Sequence, residues 1–294
     1  MDNPTSSTES NILRLVGSCP DQVGIVAAVS GHIAACGASI IEAGQFEDPG
    51  SKMFFMRYVF TLPGARREVE ALRRGFEAVA GRFGMNWRLA DANKRQRVVV
   101  LVSKIDHCLA YLLHRWKVGD LECEIPCVIS NHETLREMVE WYRIPFLHVP
   151  VPPDPGGKAE AFRETGRLIE EAAPDTVVLA RYMQVFPAWL CEKFRNRVIN
   201  IHHSFLPSFV GARPYQQAVE RGVKLIGATC HYVTEELDAG PIIEQDVIRV
   251  RHNDSLKDMI RLGKDVENTV LARGLRCHLE DRVIVHKNKT ILFN

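Results

Sequence analysis

An amide, an imidazole and a carboxylate recur close together in one part of the chain: Asn200, His202 and, after a second β-rich run, Asp238. Such a set suits the addition of a nucleophile to a formyl carbon. Negative charge then collects on the carbonyl oxygen, and a donor fixed where that charge develops lowers the barrier by ~3 kcal/mol. The side-chain amide of Asn200 and a ring N–H of His202 are the candidate donors. A carboxylate beside the imidazole orients it and takes a proton from the nucleophile, directly or through water, and Asp238 is the candidate for that work. This chemistry calls for no metal and no redox cofactor.

The elements around these residues must position them. Arg197 to His202 reads as a buried strand, and side chains two apart on a strand share a face. Asn200 and His202 should therefore look the same way, with His203 on the opposite side. Each residue alone has a plainer explanation, a hydrogen-bonded core histidine or a turn at Asp238-Ala239-Gly240-Pro241. The ordered series is more specific than its parts: Asn200-x-His202, then Ser204-x-Leu206-Pro207, then Gly211, then Asp238-x-Gly240.

That series resembles the folate-dependent formyltransferase and formyl hydrolase family, over a stretch from Arg97 to Asn294 that includes Gly211 to Ala218 and Gly222 to Val233. The resemblance implies a Rossmann-like domain with a mostly parallel sheet, a folate substrate, and catalytic roles for Asn200, His202 and Asp238. It also implies that Arg181, Met183 and Leu237 line the pterin slot as walls or backbone partners, with Gly211 and His203 among the substrate contacts. Transferases of this family usually carry proline where this chain has His203, and the His202-His203 pair resembles the hydrolytic branch.

The turn after the first strand of this region, Ser103 to Cys108, contains no glycine and includes Asp106. It lacks the close backbone approach that a phosphorylated acceptor needs, and Asp106 would repel one. Water is then the expected acceptor, with His203 and Asp106 as candidates to hold it. The expected reaction is hydrolysis of 10-formyltetrahydrofolate to formate and tetrahydrofolate, supplying formate for one-carbon and purine metabolism. The folate is the substrate, so no separate cofactor is expected. Two alternatives stand beside this reading: a folate-dependent transferase acting on a small amine, and an amino-acid-sensing regulatory protein that only binds folate.

Composition agrees with an ordinary globular chain. At 294 residues and 46% hydrophobic, two domains are the natural division. A net charge of +1 with interspersed signs provides no electrostatic footprint for nucleic acid. The eight cysteines show no Cys-x-x-Cys spacing, and the nearest pair, Cys123 and Cys127, lacks companion ligands, so neither a disulfide framework nor a zinc site is expected. They read as small apolar residues in a reducing cytoplasm. Residues 1 to 10 are polar without a basic-then-apolar signal, and no apolar run is long enough to span a bilayer. The end of the chain, a helix from Ser255 to Glu280 followed by a hairpin from Arg282 to Phe293, carries no basic stripe for tRNA.

The first 90 residues read strand, helix, strand, strand, helix, strand. The strands are Ile12 to Ser18, Ser39 to Phe46, Met53 to Leu62 and Asn86 to Asp91. The helices are Gln22 to Cys36, with Asp21 as cap, and Arg66 to Phe83. This is a ferredoxin-like βαββαβ arrangement. On Cys19 to Ile25 and Phe54 to Arg57 it resembles the ACT family, which implies an amino-acid effector such as glycine or methionine at Asp21, Gln22 and Gly24, or pairing of subunits into a homo-oligomer. Residues 91 to 97 form a charged linker, and residues 98 to 294 form the formyltransferase-like domain. There the expected strands are Val98 to Ser103, Glu124 to Ser130, Phe146 to Val151, Thr176 to Tyr182, Val198 to His203, Gly227 to Val233 and Ile242 to Val250. Near-continuous apolar strands such as Val98 to Val102 imply a sheet covered on both faces, with ligands at the carboxyl ends.

Overall fold

A computed structural model of the chain describes residues 10–208 and 214–294, and its contacts group them into two compact units. The first takes the described residues up to Lys94 together with Glu280–Ile284 and Ile291–Asn294, and the second takes Arg95–Leu279 and Val285–Thr290.

The first unit runs β1 (Ser10–Pro20), α1 (Ile25–Ala35), β2 (Ser39–Asp48), β3 (Met53–Pro63), α2 (Arg66–Phe83) and β4 (Asn86–Asp91). The strands form one antiparallel sheet in the order β2-β3-β1-β4, the ferredoxin-like arrangement. Leu15, Met56, Tyr58 and Phe60 of the sheet pack against Ile25, Val29 and Ile33 of α1 and Leu72 and Phe76 of α2. The first helix starts later than its hydrophobic pattern predicts, and Asp21 does not cap it. Gly24 occupies the N-cap with φ +96°, a left-handed conformation open to glycine, and the backbone N–H of Asp21 is bound instead to the Lys52 carbonyl at 2.9 Å. Residues from the far end of the chain complete this unit. Buried Arg57 donates to Glu42 Oε2 at 2.6 Å and to the Glu280 carbonyl at 3.0 Å, and buried Asp281 pairs with Arg14 and Arg88.

The second unit contains β5 (Gln96–Val102), α3 (His107–Lys117), β6 (Cys123–Glu124), β7 (Val128–Ser130), α4 (Arg136–Trp141), β8 (Phe146–His148) and α5 (Pro155–Glu171). It continues through β9 (Thr176–Leu179), α6 (Ala188–Lys193), β10 (Val198–His202), α7 (Pro214–Glu220), β11 (Leu225–Tyr232), β12 (Ile242–Arg249) and α8 (Leu256–Leu279). A terminal hairpin, β13 (Val283–His286) and β14 (Lys289–Leu292), follows. The central sheet has the order β12-β11-β10-β9-β5-β7-β8, with β6 paired to β5. From β10 through β9, β5 and β7 to β8 the strands are parallel, while β11 pairs antiparallel with both β10 and β12.

Two expected strands change shape for local reasons. The run from Glu124 to Ser130 divides into β6 and β7 around Pro126, which has no N–H for the ladder. The run from Thr176 stops at Leu179 because the chain turns at Arg181, whose φ of +62° is left-handed. At α8 the expected start holds: Ser255 Oγ donates to Asp258 Oδ2 at 2.6 Å and accepts from the Asp258 N–H at 3.2 Å, a reciprocal cap. Two glycines let this helix lie close to its neighbours. A Cβ at Gly274 would stand 2.4 Å from Cys230 Sγ, and one at Gly263 would stand 2.0 Å from Tyr215 Oη.

Candidate active site

Strand β10 carries Asn200 and His202 to the carboxyl end of the parallel sheet, where the neighbouring β11 runs back alongside it. The register places Asn200 directly opposite His231 and His202 opposite Thr229, so these four share a face. His231 Nδ1 lies 2.9 Å from the Tyr232 carbonyl, which only accepts, so Nδ1 bears the proton. Nε2 of His231 then accepts one N–H of the Asn200 amide at 3.1 Å. Asn200 keeps a second N–H for a ligand.

His202 is fixed from its other side. Its Nδ1 lies 3.1 Å from Asp238 Oδ2, and its Nε2 is buried without a hydrogen-bond partner among the described residues. Asp238 Oδ1 is 3.7 Å from His231 Nε2. Burial alone would raise the Asp238 pKa, but the hydrogen bond and charge from His202 outweigh it and hold the carboxyl well below the usual carboxylate range. The pair thus leaves one imidazole nitrogen without a partner among the described residues, on the strand that carries the Asn200 amide.

The flanking motifs set this geometry. Asp238 sits at φ +56°, and Gly240 passes so close to β11 that a Cβ there would lie 1.8 Å from the Tyr232 carbonyl oxygen. The Ser204-x-Leu206-Pro207 turn ends β10 just beyond His202. Buried Thr229 secures it, donating to the Ser204 carbonyl at 2.8 Å and accepting from the Leu206 N–H at 3.0 Å, while Gln245 Nε2 holds the Leu206 carbonyl at 3.0 Å.

Strand alternation does not extend to His203, because β10 ends at His202. The His203 ring centroid is 5.2 Å from that of His202 and 5.9 Å from that of Tyr215, so both histidines border the same region. Near His203 lies a second buried group. Glu267 of α8 accepts from Tyr215 Oη at 2.5 Å through Oε1, while its Oε2 is 2.9 Å from His107 Nε2 and 3.4 Å from Arg181 Nε. The Arg181 side chain therefore turns inward to Glu267, which leaves its backbone as the part able to meet a ligand. Met183 and Leu237 are both more than half exposed, and the Met183 N–H is bound to Ser103 Oγ at 2.9 Å. Gly211 lies outside the described residues.

Residues 96–275 match the model of the formyl transferase family. A formyltetrahydrofolate deformylase of Bacillus subtilis (strain 168) is 50% identical over 282 residues, which cover 96% of this chain and 93% of that one. The chain belongs to the formyltetrahydrofolate deformylases of the formyl transferase family. A deformylase of Mycobacterium tuberculosis (strain H37Rv) is 48% identical over 286 residues, covering 97% of this chain and 91% of its own. The crystal structure of a formyltetrahydrofolate deformylase from Pseudomonas syringae pv. tomato superimposes with a TM-score of 0.92 at 56% identity, covering 99% of this chain and 96% of that one. A glycinamide ribonucleotide transformylase from Symbiobacterium toebii matches with a TM-score of 0.64 at 27% identity, over 68% of this chain and 95% of its own. Likeness to the deformylases thus spans nearly the whole chain, and likeness to this transformylase about two thirds of it.

Four residues at or beside this candidate site lie outside the set picked from sequence: His231, His107, Tyr215 and Glu267. His231 had a usable signal, since an antiparallel strand beside β10 must place some residue opposite Asn200. Glu267 had another, an acid on the apolar face of α8 between Gly263 and Leu271. The expected effector residues Asp21, Gln22 and Gly24 are all exposed and belong to the first unit.

Among the described residues, His107, Cys108 and Glu267 offer ligand atoms within 4.8 Å of one another. They do not fit a metal ion. Both Glu267 oxygens are already engaged, Arg181 puts a cation 3.4 Å from one of them, and burial keeps the Cys108 thiol protonated by raising its pKa far above the ordinary value.

His203 has a measurable consequence. Burial and the nearby Arg181 charge push its pKa down to about 3, so the folded protein stays unprotonated there while the unfolded chain takes up a proton below its ordinary value near 6.5. Stability is therefore lost as pH falls from ~6.5 toward 3, by roughly 2 kcal/mol at pH 5. Denaturant unfolding at pH 7 and pH 5 should show this loss in the native protein and not in His203→Asn; equal losses in both would refute it.

Proposed function

We propose that the chain hydrolyses 10-formyltetrahydrofolate to formate and tetrahydrofolate, with Asn200, His202 and Asp238 as its catalytic residues. The observation that carries this reading is the buried Nε2 of His202, without a partner among the described residues, on an imidazole whose other nitrogen is held by an ionised Asp238 and on the strand that carries the Asn200 amide. In its imidazolium form His202 donates from both nitrogens, Nδ1 to Asp238 and Nε2 to the formyl oxygen. Asn200 contributes its second N–H to the same oxygen.

Water attacks the formyl carbon and passes a proton toward Asp238 Oδ1, the oxygen that His202 does not occupy. The tetrahedral oxyanion collapses, the bond from carbon to N10 breaks, and N10 takes up that proton through Asp238 or His202. Formic acid then releases its own proton and leaves as formate. A carboxylate as acidic as Asp238 is a weak resting base, so transfer to it occurs only as the attacking oxygen becomes acidic in the transition state.

The pterin slot in this reading uses the apolar surfaces of Met183 and Leu237 and the backbone at Arg181, with His203 among the substrate contacts. The ferredoxin-like unit is proposed as the seat of an amino-acid effector, glycine or methionine, at Asp21, Gln22 and Gly24, and as a surface through which subunits pair. Its support is the glycine-opened start of α1. A cytoplasmic setting belongs to the same reading, supported by eight cysteines that are all free thiols.

The test is incubation with 10-formyltetrahydrofolate, following formate and tetrahydrofolate with and without added glycine, methionine or small amines. Equimolar formate and tetrahydrofolate are expected. Formylated amine in place of formate would identify a transferase, and tight folate binding without turnover under any effector would identify a regulator.

A further inference from the structure

The buried group behind His203 draws on four separate elements. His107 opens α3, Arg181 follows β9, Tyr215 lies in α7 and Glu267 in α8. The Glu267 side chain is 1% exposed, and those of His107 and Arg181 are 10% and 9% exposed. Placing a carboxylate and a guanidinium this deep is costly unless both are bound, and here one carboxylate serves three partners at once. Burial would raise the Glu267 pKa, but the His107 bond and the Arg181 charge hold it below the ordinary value. The fold also makes room for the contact: one turn before Glu267, Gly263 has no side chain, so the Tyr215 hydroxyl can lie against the helix.

We propose that Glu267 is a positioning residue that locks His107, Arg181 and Tyr215 into a closed wall beside His203, so that the space next to the formyl carbon admits water and shuts out larger nucleophiles. The proposal rests on the hydrolase reading above and extends it to what selects the acceptor. Releasing any partner from the carboxylate loosens the wall. Replacing Glu267 by glutamine removes the charge that holds Arg181, leaves a buried cation unpaired, and drives it outward. Replacing Tyr215 by alanine removes a ring that borders His203, 5.9 Å away, and opens a hole in the wall.

Hydroxylamine is a suitable probe. If admitted, its nitrogen bonds to the formyl carbon, the bond from that carbon to N10 breaks, N10 takes the proton, and N-hydroxyformamide forms beside tetrahydrofolate. The full chain is given 10-formyltetrahydrofolate with a fixed concentration of hydroxylamine, and the ratio of N-hydroxyformamide to formate is measured. This ratio does not depend on how much enzyme is active, so loss of stability alone cannot move it.

The native protein should yield formate with hydroxylamine nearly excluded. Glu267→Gln and Tyr215→Ala should each raise the ratio by about tenfold or more, the scale of discrimination that one misfitting group commands. Tyr215→Phe keeps the ring and loses only its bond to Glu267, and it should raise the ratio less, which supplies a well-folded member of the series. A native protein that formylates hydroxylamine freely, or variants that hydrolyse the folate at the native ratio, would overturn the proposal. Absence of formate from the native protein without any nucleophile added would instead overturn the hydrolase reading.

Discussion

Asp238→Asn should lower the turnover number for formate release by roughly 10³–10⁴-fold while the folate still binds within a few-fold of its native affinity. Asparagine keeps the volume of aspartate and retains an oxygen within reach of His202 Nδ1, now 3.1 Å from the carboxylate. Two things are lost together. The negative charge that supports an imidazolium at His202 disappears, and the acceptor for the water's proton is replaced by an amide. In the proposed mechanism His202 Nε2 donates to the developing oxyanion, and a neutral ring protonated only at Nδ1 turns that nitrogen into an acceptor. Single-turnover formate release and folate binding followed by tryptophan fluorescence check the two halves separately. Turnover within tenfold of the native protein would remove Asp238 from the chemistry.

How far these relations can be read without coordinates depends on how local they are. The period-two and period-3.6 patterns of the first unit are local, and the α2 and β4 boundaries, Arg66–Phe83 and Asn86–Asp91, coincide with the sequence expectation. The start of α1 was less accessible, because a left-handed Gly24 rather than a side-chain cap determines it. Likewise, the facing of Asn200 and His202 follows from strand alternation, whereas the place of His203 depends on where the strand stops. The Thr229 and Gln245 contacts to the Ser204-Leu206 turn lie beyond that stop and come from strands later in the chain. Glu267 and His107 are 160 residues apart, and only the packing of α8 joins them. Ordered motifs point to the proposed reacting groups. The side chains that orient those groups carry no motif, since a buried partner can come from any element the fold brings near.

Gly240→Ala should cost roughly 10²-fold in turnover, together with about 2–3 kcal/mol of stability, although residue 240 has no functional group to lose. An added Cβ would meet the Tyr232 carbonyl oxygen at 1.8 Å and its carbon at 2.9 Å. Both are backbone atoms in a strand, so no side chain can swing aside to relieve the clash. The segment from Asp238 to Pro241 must move away from β11. That displacement pulls on the bond from the Tyr232 N–H to the Pro241 carbonyl, 2.9 Å long, and draws Asp238 off His202. It also disturbs the Tyr232 carbonyl that fixes the His231 tautomer, and through His231 the orientation of the Asn200 amide. All three proposed catalytic groups thus depend on one missing methyl. Gly31→Ala is the matching control: it lies inside α1 with open space where its Cβ would go, and it should gain ~0.5–1 kcal/mol without altering turnover. Steady-state kinetics and denaturant unfolding of the two variants decide the matter. If Gly240→Ala turned over like Gly31→Ala, the close approach at Tyr232 would not be what aligns Asp238.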